Sequence, residues 1–304
     1  MHDKYPHLFS PIRIGGLVIK NRIEASPIAI PNDSPEFASM ENMVSYELRA
    51  RSGAGLVVHE EMAVSKLADD GSGPTFADTA LALQDIMKES EAVHRYGAIS
   101  SVSLTHHGGW NTLSVAPDGK LYAPSAFKNP YGIMTTEMTE DIMFELIEAY
   151  ARAAEMAQYG GHDMVQIHGA HGWLLSQFMS PLYNHRTDKY GGSLENRARF
   201  PLMIVDAIRK RCPKLPIEYR FSANDFMEGG FGPEEGIEFA KMLDGKVDLI
   251  HITSSSFFDP TCGKLFPSMF TERGVNIPLA ASVKAAVKTP VCTVGRISDL
   301  KQAD

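Results

Sequence analysis

The chain predicts an α/β protein of the (β/α)8 barrel class, truncated after its seventh strand. Two observations carry this. Short, β-branched, near-continuous apolar runs alternate with longer amphipathic stretches, the pattern of parallel strands covered on both faces. No Gly-x-Gly-x-x-Gly follows an early strand; the nearest candidate, Gly53-Ala-Gly55, precedes its strand, which removes the open dinucleotide-binding sheet and leaves the closed barrel.

The expected strands are Arg22–Ile28, Gly55–Glu61, Ala98–His106, His162–His168, Pro216–Ser222, Val247–Thr253 and Pro290–Gly295. Ile12–Ile19, turning at Gly15-Gly16, reads as a hairpin capping the first strand. The clearest helices are Asp78–Tyr96, Thr139–Tyr159, Leu194–Arg211 and Pro233–Leu243. The last opens on a proline followed by two glutamates, which suit the positive end of a helix. The stretch from His107 to Met138 is the longest irregular one and is expected to be a functional loop. Uninterrupted repetition makes residues 1–304 one domain. A barrel needs an eighth strand, so the chain is expected to be a fragment lacking its last strand–helix unit, with further domains compatible beyond it.

Composition narrows the partners. With 29 Lys and Arg against 37 Asp and Glu, the net charge is −8. This argues against a nucleic-acid binder and against attraction to anionic membranes. Three cysteines without Cys-x-x-Cys spacing exclude a disulfide scaffold and a zinc ribbon within these residues. The polar N-terminus has no signal-peptide core, and no run reaches the ~18 apolar residues of a membrane span. A cytoplasmic enzyme acting on a small molecule is the expectation, and an oligomer is compatible with it.

Barrel enzymes carry their chemistry at the C-terminal strand ends. Those ends hold Ser26-Pro27-Ile28, Glu61, Ser103, His168, His171, Arg220, Thr253 and Gly295-Arg296. The aspartate and glutamate cluster of a magnesium or glycosidase site is missing. His168 and His171 admit three readings: part of a metal site, two loop histidines satisfied by backbone, or two donors aimed at one substrate oxygen. Arg220, flanked by apolar residues, either pairs internally, with Asp225 as the candidate, or holds an anion or electron-rich ring. Gly295-Arg296 follows the seventh strand, where barrels often bind phosphate.

Residues 165–200, VQIHGAHGWLLSQFMSPLYNHRTDKYGGSLENRARF, resemble the signature of the Old Yellow Enzyme family of NADH:flavin oxidoreductases. FSPIRIGG from Phe9, KNRI from Lys20 and YRFS from Tyr219 are similar to its first- and fifth-strand motifs. The branch is that of 2,4-dienoyl-CoA reductase, enoate and bile-acid enone reductases, and trimethylamine dehydrogenase. The resemblance implies FMN as bound cofactor and NADH or NADPH as transient reductant. An iron–sulfur cluster and FAD would belong only to a longer form. It implies Ser26, Pro27 and Ile28 beside the flavin, Arg220 at its N1 edge, Gly295 and Arg296 in the phosphate site, and His168 and His171 as catalytic donors to a substrate carbonyl.

Four departures stand out. Trp173 replaces the usual proton-donating tyrosine, so a proton must come from elsewhere, with Tyr183 or water as candidates. Ser103 replaces a flavin-binding glutamine. Glu61 replaces a small residue and either meets the flavin's pyrimidine edge or faces a loop. The eighth strand's share of the phosphate site is absent. The implied reaction is reduction of an activated C=C bond. The rivals are an outward-running amine or alcohol dehydrogenase, a non-catalytic remnant, and a metal-dependent hydrolase.

Overall fold

The computed structural model describes residues 3–28, 40–65, 80–111, 118–259 and 263–304. Seven parallel strands stand in sequential order: β3 (Glu24–Ala25), β4 (Leu56–Ala63), β5 (Ile99–Thr105), β8 (Met164–Gly169), β9 (Ile217–Ser222), β10 (Leu249–Thr253) and β11 (Val291–Thr293). Unbroken sequential order is the topology of an α/β barrel and differs from a doubly wound sheet, whose order reverses at a switch point. Helices α1 (Met40–Arg51), α2 (Ala80–His94), α3 (Glu140–Tyr159), α5 (Leu194–Arg211), α6 (Pro233–Leu243) and α7 (Ile277–Ala286) follow successive strands, with a short α4 (Leu174–Met179) after β8 and α8 (Leu300–Ala303) after β11.

The expected helices and strands occur, with shifted ends. The first strand pairs over two residues only, and Ile28 lies exposed beyond it. The start expected for α2, at Asp78, lies outside the described residues, as does Cys262. Helices α1 and α7 are not among the four clearest in the sequence. Helix α1 has Tyr46 and Ala50 buried but Met40, Val44 and Leu48 exposed, so its apolar stripe is blurred. The His107–Met138 stretch is not wholly irregular: it carries a 3-10 turn at Gly108–Trp110 and a small parallel ladder between β6 (Tyr122–Ala123) and β7 (Thr136–Glu137).

Side chains alternate across each strand, and the alternation builds layers. At the N-terminal mouth, Leu56, Val58, Met164 and Leu249 pack on Ile14 and Ile19 of the hairpin β1 (Ile12–Ile14) and β2 (Leu17–Ile19). The hairpin therefore plugs the bottom of the barrel. Above that plug the interior turns polar. In register across the sheet, Gln166 faces Glu218, His168 and His251 both face Arg220, and Thr253 faces Ser222. The outer layer between strands and helices is apolar and continuous, from Val102 and Ile167 through Phe178 and Phe200 to Phe239 and Ile252.

Candidate active site

Polar side chains at the C-terminal ends of β4, β5, β8, β9 and β10 converge on one region. His168 comes from β8, and the chain then turns sharply: His171 and Gly172 both adopt left-handed backbone, φ +63° and +83°. A Cβ on Gly172 would collide with Ser256, so glycine is required there. This turn brings the His171 ring to 5.0 Å from the His168 ring, edge to face. His171 Nε2 sits 3.1 Å from Thr253 Oγ1. Burial, with the positive charge of Arg220 and His168 adding to it, holds the His171 ring well below the usual histidine range, so it is neutral at pH 7.

Glu61 reaches the same region through a defect in pairing. The β4–β5 register shifts between His59 and Glu61. Val58 lies in the barrel plug and His59 stacks outside on Tyr46, 3.9 Å between ring centres. Regular alternation would then turn Glu60 inward. The bulge instead gives Glu60 to Asn42 and turns Glu61 to the interior. There His107 Nε2 donates to Glu61 Oε2 at 3.2 Å and Trp173 Nε1 to Oε1 at 3.1 Å. His168 Nε2 lies 2.9 Å from Oε1, an ion-pair contact, while His168 Nδ1 has no hydrogen-bond partner among the described residues. Burial raises the Glu61 carboxyl, yet His168 and His107 together outweigh it and hold it well below the ordinary range. Glu61 thus faces His168, His107 and Trp173.

Arg220 is 7% exposed, and its Nε has no hydrogen-bond partner among the described residues. Asp225, the partner the sequence suggested, is engaged elsewhere: Ser180 Oγ donates to it at 2.8 Å and the Phe231 N–H at 3.0 Å. The charges that balance Arg220 through space are Glu24, Glu218 and Glu61. Glu24 and Glu218 flank His251, whose Nδ1 is 3.1 and 2.7 Å from them, so this imidazole titrates above its ordinary value despite burial. Ser103 Oγ donates to Gln166 Oε1 at 3.1 Å, and Gln166 Nε2 is left unpartnered and buried.

The remaining predicted residues lie on other strand ends and on loops. Ser26 donates to Glu24 at 3.3 Å, just past β3, and Pro27 follows it. Trp173 stacks on Phe257 at 4.7 Å. Tyr183 packs on Phe258 at 4.4 Å, with its hydroxyl 3.7 Å from Met227 Sδ. Gly295 and Arg296 turn with φ +128° and +51° after β11, and Arg296 Nη1 donates to the Thr271 carbonyl. The sequence reading missed Gln166, Glu24, Glu218, His251, Trp110 and Phe257. The first four were legible as polar residues at alternate positions of apolar strands; the aromatics lie on loops without periodicity.

The residues present suit a flavin ring. A buried arginine and a buried amide, each with an unused donor, are what the electron-rich pyrimidine edge of such a ring would satisfy.

The comparisons decide the family. Residues 7–304 match the model of the NADH:flavin oxidoreductase / NADH oxidase family. The chain belongs to this family. It is similar to an NADH oxidase of Thermoanaerobacter brockii, 37% identical over 99% of this chain and 46% of that protein. Among solved structures, it resembles a 2-naphthoyl-CoA reductase in complex with 2-naphthoyl-CoA: TM-score 0.88, 29% identity, 98% of this chain and 48% of that one. It also resembles an old yellow enzyme homologue from Zymomonas mobilis: TM-score 0.82, 26% identity, 97% of this chain and 84% of that one. The chain therefore spans about half of the first two and most of the third. Membership carries the Old Yellow Enzyme barrel as the fold, with FMN and NAD(P)H as the cofactors. No helix among the described residues is long and apolar enough to cross a membrane.

Proposed function

We propose that the chain is the FMN-binding catalytic barrel of an NAD(P)H-dependent reductase of activated C=C bonds: an α,β-unsaturated carbonyl compound, enoate, or enoyl or dienoyl thioester. The observation that supports this most is the placement of unused buried donors. Arg220 Nε lies at the His168 layer and Gln166 Nε2 one layer below it, opposite Glu218, both buried and without an aligned hydrogen-bond partner among the described residues.

FMN, when bound, supplies the two-electron step, accepting hydride from NADH or NADPH and passing it to the electron-poor alkene carbon. The chain's own residues do the rest. Arg220, with Gln166 beside it, would hold the pyrimidine edge, where a fixed cation favours the reduced, anionic ring. Ser26, Pro27 and Ile28 would line the ring, Ser103 would orient the Gln166 amide, and Gly295 and Arg296 would meet the phosphate. His168 and His171 would hold the substrate carbonyl, each offering one N–H as a neutral imidazole. Trp173 can orient a substrate but cannot protonate it. Tyr183, its hydroxyl raised by burial, or water would deliver the proton.

A second reading, the outward-running dehydrogenation of an amine, is favoured by that same Trp173, because oxidation needs no such acid. Anaerobic assay separates them: 2-cyclohexenone should reoxidise the NADH-reduced flavin, whereas trimethylamine bleaching the oxidised flavin would favour the second reading.

A further inference from the structure

The Arg220 guanidinium is buried, and its Nε finds no partner among the described residues. Two carboxylates in the barrel interior, Glu24 and Glu218, act on it only through space. An arginine beside carboxylates in a desolvated interior ordinarily closes on one of them in a two-pronged pair. Glu218 stands two residues before Arg220, on the same face of β9. Its Oε2 is also buried and unpartnered, and still the two side chains do not pair.

His251 accounts for this. It is the register partner of Arg220 on β10, so its ring rises from the same level of the adjacent strand. Its Nδ1 lies 2.7 Å from Glu218 Oε1 and 3.1 Å from Glu24 Oε1. The Nδ1 hydrogen is therefore shared by carboxylates that come from β9 and β3. Burial opposes a charge on the ring, yet the two carboxylates hold it above its ordinary range, so it brings them charge as well as a hydrogen. Cys292 Sγ on β11 donates to the other oxygen of Glu24 at 3.1 Å. The negative charge that would draw the guanidinium down into the barrel is thus already engaged.

The same four side chains, Glu24, Glu218, His251 and Cys292, have the donor types of a metal site, with ligand atoms within 4.8 Å of one another. Two observations favour the shared proton. The contacts to His251 have hydrogen-bond length, and the Arg220 charge beside them opposes a second cation.

We propose that His251 is a positioning residue: by bridging Glu24 and Glu218 it keeps both carboxylates off Arg220 and leaves the guanidinium free to meet the pyrimidine edge of the flavin. This rests on the proposed placement of Arg220 at the flavin.

The test compares wild type, His251→Leu and the triple variant Glu24→Gln/Glu218→Gln/His251→Leu. Flavin fluorescence on dilution of each holoprotein gives the FMN dissociation constant, and the midpoint potential is measured alongside. His251→Leu releases two carboxylates to Arg220, so FMN should bind about tenfold more weakly or worse. The potential should fall, because a paired arginine stabilises the reduced ring less. The triple variant removes those carboxylate charges and should recover most of the affinity, whereas a role in packing alone predicts a further loss. His251→Gln, which keeps an N–H donor without the charge, should lose less than His251→Leu; where the leucine variants do not fold, the same comparison is made with glutamine at 251. Equal affinity and potential in wild type and the His251 variants, or a triple variant no better than the single one, would overturn the proposal. So would zinc at one atom per chain that disappears with His251. Failure of 2-cyclohexenone to reoxidise the reduced flavin would instead overturn the proposed function and leave the role of His251 standing.

Discussion

At the residue scale, the proposed site rests on Arg220 and the two histidines. Arg220 is buried with a donor unsatisfied, a costly arrangement for a side chain with no further partner. Arg220→Ala is expected to strip FMN during gel filtration and to leave the far-ultraviolet circular dichroism unchanged; full flavin retention would remove Arg220 from the flavin site. The double variant His168→Ala/His171→Ala is expected to keep FMN and to slow reoxidation of the reduced flavin by 2-cyclohexenone by roughly a hundredfold or more, the scale of losing oxyanion donors. Stopped-flow absorbance reads both half-reactions, and an unaltered oxidative rate would contradict the assignment. His168, His171 and Arg220 were visible in the sequence because a strand end in a barrel is a defined place. Glu61 was visible as an anomaly, but its environment was not. Its direction depends on a bulge that shifts the side-chain period by one, and period counting in a single strand does not reveal a bulge.

At the element scale, the hairpin and helix α2 make separate predictions. Ile14 is 2% exposed and seals the N-terminal mouth against Leu56, Met164 and Leu249. Ile14→Ala should cost about 2–4 kcal/mol in urea denaturation with an unchanged m-value. A loss below about 0.5 kcal/mol would show that the hairpin is not a plug. Helix α2 presents Glu89 to His59, 3.4 Å away, with both side chains buried. Burial pushes the Glu89 carboxyl up to about 8 and the His59 ring down to about 3. A carboxyl that titrates higher folded than unfolded binds its proton more tightly in the fold. Its contribution to stability is therefore present at low pH and is lost as pH rises toward 8. Buried neutral histidines act oppositely and only below about pH 6.5, so the window above that belongs to Glu89 and any other raised group. Glu89→Gln should flatten the fall in melting temperature between pH 6.5 and 8.5; an unchanged slope would mean that Glu89 is ionised in the fold. Strands and long helices were legible because their apolar periods are strong. Helix α1 was less legible because it exposes Met40, Val44 and Leu48 on a face that periodicity assigns to the interior.

At the scale of the whole molecule, the barrel places a polar layer above a hydrophobic plug, and this layer is the proposed flavin site. Class and topology were legible because seven apolar runs in steady alternation with helices admit few architectures. The inner layer was only partly legible: Gln166 faces Glu218, and His168 and His251 face Arg220, through registers between strands far apart in sequence. The most direct test is the visible absorption spectrum of the purified protein supplied with FMN, recorded before and after anaerobic NADH or NADPH. A bound flavin band that bleaches on reduction is the predicted result. A protein that stays colourless through desalting would show that this barrel does not hold FMN.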